Sequence, residues 1–299
     1  MGNRCPGRGF LKGLWLLCIG CILIAVGLSL GGRWTTPAWW PWHGGDLRIE
    51  WGADSDTAGK NEIHDIAENE DVLPATVSSI EVELKAAGLA IKTGPVASYR
   101  VTGFDGDRLA ISVDGNRVRF EEKHWPRSID FDGDFPKQLV EITLPEGVAL
   151  DDCRISVGAG AVSITGLTAK SLSIESGAGS ITARDLNADR VRLETGAGSL
   201  DLAGCRFDDT RIETGAGRIA FKGSLGTHTE ISTGAGAVSL LLTGSAKDYR
   251  FDFTRGVGSV RIGDENHTGI GEGSAGNRDA KRVIKLLSGV GSISVDFTD

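Results

Sequence analysis

The stretches LSIESGAGSITA (residues 172–183), VRLETGAGSLDL (191–202) and TRIETGAGRIAF (210–221) repeat one pattern at intervals of nineteen residues. The tripeptide Gly-Ala-Gly marks each repeat, and a related Gly-Val-Gly marks two later copies. Because a fixed period of this length indicates a repeat architecture, the period decides the fold class. The tripeptides begin at Gly158, Gly177, Gly196, Gly215, Gly234, Gly256 and Gly289.

Apolar and polar residues alternate on both sides of each glycine pair. Four residues after the first glycine stand Val162, Ile181, Leu200, Ile219, Val238, Val260 and Ile293. Three residues before it stand Ile155, Ile174, Leu193, Ile212, Ile231, Phe253 and Leu286. A period of two is typical of strands with one buried face, so each repeat supplies two short strands with a corner between them. The glycines permit the sharp corner, and we expect the alanine between them to point inward.

One repeat cannot bury its own apolar face, but stacked copies can share a continuous core. The sequence therefore predicts an all-β fold, a parallel β-solenoid with about 19 residues per coil. Right-handed winding is expected, as for other parallel crossover connections. We assign residues 76–299 to this solenoid: irregular first coils at 76–147, regular repeats at 148–262, an insertion at 263–280 and a last strand pair at 281–299. The insertion either covers the open end of the stack or forms a loop.

The N-terminal quarter of the chain differs in composition from the repeats. Residues 13–32 contain no charged side chain and are long enough for one transmembrane α-helix. Basic residues precede the segment, which predicts a cytoplasmic N-terminus at residues 1–12 and an outward-facing C-terminal part. A cleaved signal peptide and a lipoprotein signal ending at Cys21 are the alternatives.

Residues 33–75 are expected to form a tryptophan-rich collar followed by an acidic linker. Trp34, Trp39, Trp40 and Trp42 follow the apolar segment directly, and indole rings prefer the headgroup layer. An aromatic patch folded onto the outer domain is the other interpretation. The whole chain carries a net charge of -8, which argues against a protein that binds nucleic acid.

The run ITLPEGVALDDCRISVGAGAVSITGL (residues 142–167), with units such as LSIESGAGSI and VRLETGAGSL, resembles a bacterial β-strand-repeat family called "putative adhesin", a domain of unknown function. The resemblance extends from Ile80 to Asp299. It implies a repeat fold on the outer side of a bacterial membrane behind a single helix. It implies no catalytic residues.

Few motifs in this sequence point to chemistry, and we predict no catalytic, cofactor-binding or metal-binding residues. Gly271–Gly276 matches G-x-G-x-x-G but lacks a strand–turn–helix context. Asp130, Asp132, Asp134 and Glu141 echo a calcium loop, but Phe135 replaces the required glycine, which favours an acidic turn. No metal-binding spacing links the histidines His43, His64, His124, His228 and His267.

Two outward surfaces are predicted from the alternation. The first strands present Arg192 beside Glu194 and Arg211 beside Glu213, a charge-balanced ladder rather than a catalytic groove. The second strands form a flat face of small residues that could dock a glycan or a protein, stack on a second copy, or simply face solvent. Its expected members are Ser163, Thr182, Asp201, Ala220 and Ser239, with Ala161, Ser180, Ser199, Arg218 and Ala237.

Two cysteines, Cys153 and Cys205, fall in inward columns nearly three coils apart. Since a disulfide requires Cα atoms within about 7 Å, we expect two free, buried thiols.

Together these patterns predict a membrane-anchored, non-enzymatic cell-surface module with an adhesin-like or structural role. Expected partners are the membrane and either a surface glycan or an envelope protein, with self-association possible. An accessory sensor of envelope stress and a glycan-cleaving enzyme on the same scaffold are the alternatives.

Overall fold

A computed structural model describes residues 69–74, 76–104, 108–125, 131–132 and 135–298. Within these ranges the chain is all-β: fifteen strands form one large, mostly parallel sheet, and two short strands pair separately. The only helical element described is a 3-10 turn, η1 (Ala246–Asp248). No helix in the described ranges could cross a membrane. The segment predicted to do so, residues 13–32, lies outside them, as do the predicted collar and most of the linker.

The strands of the N-terminal part vary in length and direction. In chain order they are β1 (Asn69–Val72), β2 (Ser79–Ala86), β3 (Gly88–Gly94), β4 (Ser98–Thr102), β5 (Leu109–Asp114), β6 (Arg117–Glu122), β7 (Phe131–Asp132), β8 (Phe135–Pro136) and β9 (Leu139–Pro145). Most of the later strands are longer, and four of them run through the glycine corners without a break. They are β10 (Ala149–Ala159), β11 (Val162–Thr165), β12 (Thr168–Arg184), β13 (Asn187–Thr243), β14 (Tyr249–Ile262), β15 (Glu265–Thr268), β16 (Gly271–Gly276) and β17 (Arg282–Thr298).

Successive repeats lie in parallel register, one coil above the next. Along β12 and β13, Ile174 pairs with Leu193 and Ile181 pairs with Leu200, each pair separated by nineteen residues. Both sides of the glycine corner keep the same offset, so each coil contributes one strand to either side of the core. This register confirms the predicted stacking of the apolar columns.

The glycine corners stack backbone on backbone. A methyl group added to Gly217 would lie 1.7 Å from the carbonyl oxygen of Gly198 in the coil below, and Gly217 itself has φ +149. Only glycine meets both conditions. The alanine of each tripeptide does not point inward as expected: Ala178, Ala197 and Ala216 are exposed. The residue before the first glycine points inward instead, which continues the strict alternation of the first strand.

At the N-terminal end the coils do not follow chain order. β2 lies between β10 and β6, and β3 lies between β11 and β9, all in parallel. The coil built from β6 and β9 is thus farther from the centre than the coil that precedes it in sequence. Antiparallel strands then cover its two edges, because β5 pairs with β6 and β4 pairs with β9. β5 and β6 form a hairpin with its turn at Gly115 and Asn116.

The C-terminal end repeats this arrangement. β17 lies between β13 and β14, so that Ser239 pairs with Ser294 and Ser294 in turn pairs with Arg261. β17, the final strand in sequence, is therefore not the outermost coil of the stack. Residues 263–280 contain β15 and β16, which pair antiparallel with the outer edge of β14. Of the two roles considered for the insertion, it is the cover of the open end.

The core consists of apolar side chains that form columns between the two sides of the stack. Aromatic rings thicken it toward the C-terminal end, where Phe207 and Phe221 approach to 5.8 Å and Tyr249 lies 6.0 Å from both Phe251 and Phe297, measured between ring centroids. These large side chains suit an end where the coils are capped rather than continued.

At the N-terminal end of the stack, a buried carboxylate binds the backbone of the corner between β2 and β3. Glu122 ends β6 at an inward position, and its Oε2 accepts hydrogen bonds from the backbone N–H groups of Lys85 and Ala86 at 2.6 and 3.0 Å. In the regular coils, the backbone of the next coil accepts hydrogen bonds from such N–H groups. Here the chain does not continue through the corner after β6 ends. Arg108 neutralises the carboxylate at 2.5 Å and lies over the ring of Phe104. The pair therefore replaces the missing strand.

Within the part of the chain that the structure describes, several buried hydroxyl groups have no hydrogen-bond partner. Two of them, on Thr210 and Thr229, stand in the column that holds Val191 and Ile284 in neighbouring coils. The others precede the glycine corner in successive coils and are Ser176, Thr195, Thr214, Thr233 and Ser288. An unpaired buried hydroxyl costs free energy, so these positions are not optimised for stability.

We therefore expect Thr210→Val to stabilise the fold by about 1 kcal/mol, since valine keeps the shape and removes the unpaired hydroxyl. Urea unfolding monitored by circular dichroism measures the change. Thr254→Val, at an exposed position, is the control and should change stability by less than about 0.5 kcal/mol. A loss of stability in Thr210→Val would mean that this hydroxyl has a partner in the protein.

Candidate functional site

The first strands present a face of paired charges. Arg192 binds Glu194 and Arg211 binds Glu213 within the same strand, as predicted. Arg119 contacts both Glu83 and Glu81 across neighbouring coils, and these carboxylates raise the pKa of the Arg119 guanidinium. Every one of these groups is at least partly exposed, so the pairs neutralise the face and add little stability.

The second strands present the flat face of small side chains. Ser163, Thr182 and Asp201 pair in register, and Ser239 continues the same column toward Ser294 and Arg261. With strands about 4.8 Å apart, the nine stacked coils give a surface about 40 Å long.

One residue that was expected on this flat face is buried, and an ion pair lies at the other end of the face. Ala161 was expected on the face but is only 6% exposed. It lies beside Gly88 in the coil where the corner is covered from the N-terminal side, so it belongs to the core. At the opposite end, Arg261 binds Asp296 through two 2.7 Å hydrogen bonds, which lower the pKa of that carboxyl.

A third surface follows from the outward alanines. Their methyl groups form a ridge along the glycine corners, which ends in Val290 and Val257 at 55% and 62% exposure. These two valines are register partners, and Val290 also pairs with Ala235. The ridge was missed because the alanines were expected inside.

Cys153 and Cys205 are free and buried, as predicted. Burial, and secondarily the nearby Asp152 carboxylate, raises the pKa of Cys153 to about 12. Burial raises the pKa of Cys205 to about 11, and its thiol donates to the carbonyl oxygen of Ala203 at 3.6 Å. Since the thiolate is the reactive form, both side chains are poor nucleophiles at neutral pH.

We accordingly expect iodoacetamide to leave Cys153 and Cys205 unmodified in the native protein at pH 8, and to modify both in guanidinium chloride. Peptide mass spectrometry reads the two sites separately from the N-terminal cysteines. Rapid modification of Cys153 in the native protein would contradict the buried position.

The remaining motifs are scattered. Gly271–Gly276 forms the extended strand β16, and not a phosphate-binding turn. Asp132 lies in β7, whereas Asp130 and Asp134 are outside the described residues and Glu141 lies in β9. Within the described ranges no group of three or more histidine, cysteine or acidic side chains is placed to hold a metal ion. His267, one of the three described histidines, lies 3.5 Å from Glu265 and packs against Phe253.

Several solved structures are distantly similar to this chain. A putative cell adhesion protein from Clostridium sporogenes is 12% identical, with 78% of this chain and 100% of that one covered and a TM-score of 0.32. A putative adhesin from Bacteroides fragilis is 11% identical, with 77% and 97% covered and a TM-score of 0.36. A putative lipid binding protein from Parabacteroides distasonis is 15% identical, with 76% and 96% covered and a TM-score of 0.32.

A search of curated proteins finds no match. The pattern of the Toastrack DUF4097 family, in contrast, matches residues 77–270, a span that runs from the loop before β2 to the loop between β15 and β16. This span contains all of the stacked coils and glycine corners described above except those of β17. The chain belongs to the Toastrack DUF4097 family.

Proposed function

We propose that this chain is a non-enzymatic, adhesin-like module of the bacterial cell surface that binds a surface glycan. Residues 13–32 would hold it in the membrane, with residues 76–299 on the outer side. The observation that carries the proposal is the second-strand face, a flat and register-matched surface on which small polar side chains recur in several coils.

The chemistry of this face favours a polar, extended ligand over a protein. Protein interfaces concentrate aromatic residues and methionine at their centre, and the outward residues named for this face include neither. Hydroxyl and carboxylate groups such as those of Thr182, Asp201 and Ser239 can instead exchange hydrogen bonds with sugar hydroxyls. Stacked coils offer the same groups repeatedly, as a repeating polymer requires.

The test is binding of the purified full-length chain to a glycan array, compared with two variants of one coil. Ser239→Arg places a long charged side chain on the second-strand face, whereas Ser232→Arg places the same side chain on the first-strand face. We expect Ser239→Arg to lose glycan binding and Ser232→Arg to keep it. Degradation of the bound glycan would replace the proposal by an enzymatic function, and capture of an envelope protein with no glycan bound would also overturn it.

The membrane anchor is tested separately. The charge asymmetry around residues 13–32 supports an uncleaved helix with its N-terminus inside. In intact bacterial cells that express the full chain, we expect the protein to resist extraction by alkaline carbonate and its C-terminal domain to be accessible from outside the membrane. Release of the domain as a chain that lacks residues 1–32 would contradict the anchor.

A further inference from the structure

A cleft of about 470 Å³ opens at the second corner of the coils, where the chain passes from the second strand of one coil to the first strand of the next. Two successive corners line it, at residues 204–206 and 223–224. Thr243 and Arg282 complete its lining. The cleft belongs to neither of the two sheet faces.

The cleft exists because the order of the coils changes at this level. Thr243 pairs with Thr298 of β17, but the chain does not turn from Thr243 into β17. It crosses through η1 to Tyr249 instead, and β17 begins independently at Arg282 beside it. The corner that would join Thr243 to Arg282 is therefore missing, and the cleft occupies its place. In open α/β sheets, ligands likewise bind in the crevice that forms where the strand order changes.

One arginine of the cleft is held in position without being neutralised. The Arg282 guanidinium lies 5.3 Å over the ring of Tyr249, and its Nη1 donates to the Tyr249 hydroxyl at 3.2 Å. The ring is fully buried, and its hydroxyl donates to the carbonyl oxygen of Thr243 at 2.8 Å. A rigid support on one side leaves the remaining N–H donors of Arg282 available to the cleft.

A second arginine adds charge from the corner at residues 204–206, two coils away from Arg282. Arg206 is exposed, and within the described ranges no carboxylate or carbonyl oxygen binds its side chain. Among the residues that the structure describes, no carboxylate lines the cleft. This is notable because the chain is acidic and other arginines, such as Arg192 and Arg211, bind carboxylates. The hydroxyl-bearing Ser224 lies in the same lining.

We propose that this cleft binds an oxyanion, the phosphate or carboxylate group of a small molecule or saccharide. Guanidinium groups bind such groups through two parallel hydrogen bonds. A concave site of this size suits a small ligand that carries one such group. The proposal concerns a site separate from the second-strand face, so either can fail without the other.

Isothermal titration of the full-length chain with inorganic phosphate, glucuronate and neutral glucose tests the proposal. We expect saturable binding of phosphate, glucuronate or both, and no binding of glucose. The preferred anion then identifies the ligand as a phosphate or a carboxylate. Arg206→Gln should weaken binding about tenfold or more, because it removes a charged donor. Arg190→Gln, at an exposed arginine on the first-strand face, is the matched control and should leave the affinity unchanged.

Arg282→Gln should abolish binding of the same anion, and a thermal melt shows whether this variant keeps its fold. If it unfolds, Arg206→Gln against Arg190→Gln decides the question. Three results would each overturn the proposal: no saturable binding of either anion at concentrations up to tens of millimolar, equal binding of glucose, or equal affinity in Arg206→Gln and Arg190→Gln.

Discussion

A chain that ends at residue 281 is expected to lose cooperative unfolding altogether, although it lacks only the last eighteen residues. β17 lies inside the stack, so its removal exposes the edges of both β13 and β14. It also deletes four fully or almost fully buried side chains, Ile284, Leu286, Ile293 and Val295. At about 1.5–3 kcal/mol for each side chain, this loss is comparable to the whole stability of a typical domain.

Urea titration followed by circular dichroism measures the effect of this truncation. The control variant replaces residues 265–276 with a Gly-Ser segment of equal length, which removes the antiparallel cover but leaves β13, β17 and β14 together. We expect the control to unfold cooperatively at a lower urea concentration. If β17 were the outermost coil, the truncated chain would behave like this control, with a native-like core and a moderate loss of stability.

Gly217→Ala is expected to destabilise the domain by about 3–5 kcal/mol, as the sum of a backbone clash and an unfavourable φ. The new methyl group would lie 1.7 Å from the Gly198 carbonyl oxygen, an atom that cannot move without separating two coils. Each glycine of this column meets the same obstacle, so the coil spacing cannot expand at one level alone. The urea midpoint measures the change.

The matched control for this substitution is Ala216→Val, at the adjacent residue. It adds more atoms than Gly217→Ala does, but they point to solvent from the ridge, where valine occurs naturally at Val290 and Val257. We expect a change of less than about 0.5 kcal/mol. Equal effects of the two substitutions would show that the corners do not stack as described.

The regular part of the fold could be predicted because its information is local and repeated. The spacing of Gly177, Gly196 and Gly215 specifies the offset between coils, and the alternation around each specifies which side is buried. The same alternation also places Thr195 and Thr214 inward, but their hydroxyl groups are typical of exposed positions. The alanines between the glycines were expected inside on the basis of their size, whereas the chain direction at the corner turns their methyl groups outward.

The order of the coils at both ends could not be predicted from the repeats. The units around Gly256 and Gly289 have the same apolar columns, so either fits against the coil of Gly234. Their order depends on how the chain crosses between Thr243 and Tyr249 and on which unit the antiparallel strands cover. The buried pair of Glu122 with Arg108 depends on the same kind of long-range arrangement.

The two proposed binding surfaces differ in how far the sequence could predict them. The second-strand face arises from the repeat itself, and all of its expected members except Ala161 were placed correctly by alternation. The cleft beside Arg206 and Arg282 exists only because β17 enters the stack out of order. The sequence of one repeat therefore does not predict the cleft, because residues of several coils line it.

Cysteine cross-linking tests the coil order most directly. In the structure Ser239 pairs with Ser294, at a strand spacing that suits a disulfide, and Arg261 lies one coil farther away. Under mild oxidation, Ser239→Cys/Ser294→Cys should form an intramolecular disulfide in the native protein, and Ser239→Cys/Arg261→Cys should not. A disulfide between positions 239 and 261, with none between 239 and 294, would contradict the inserted position of β17.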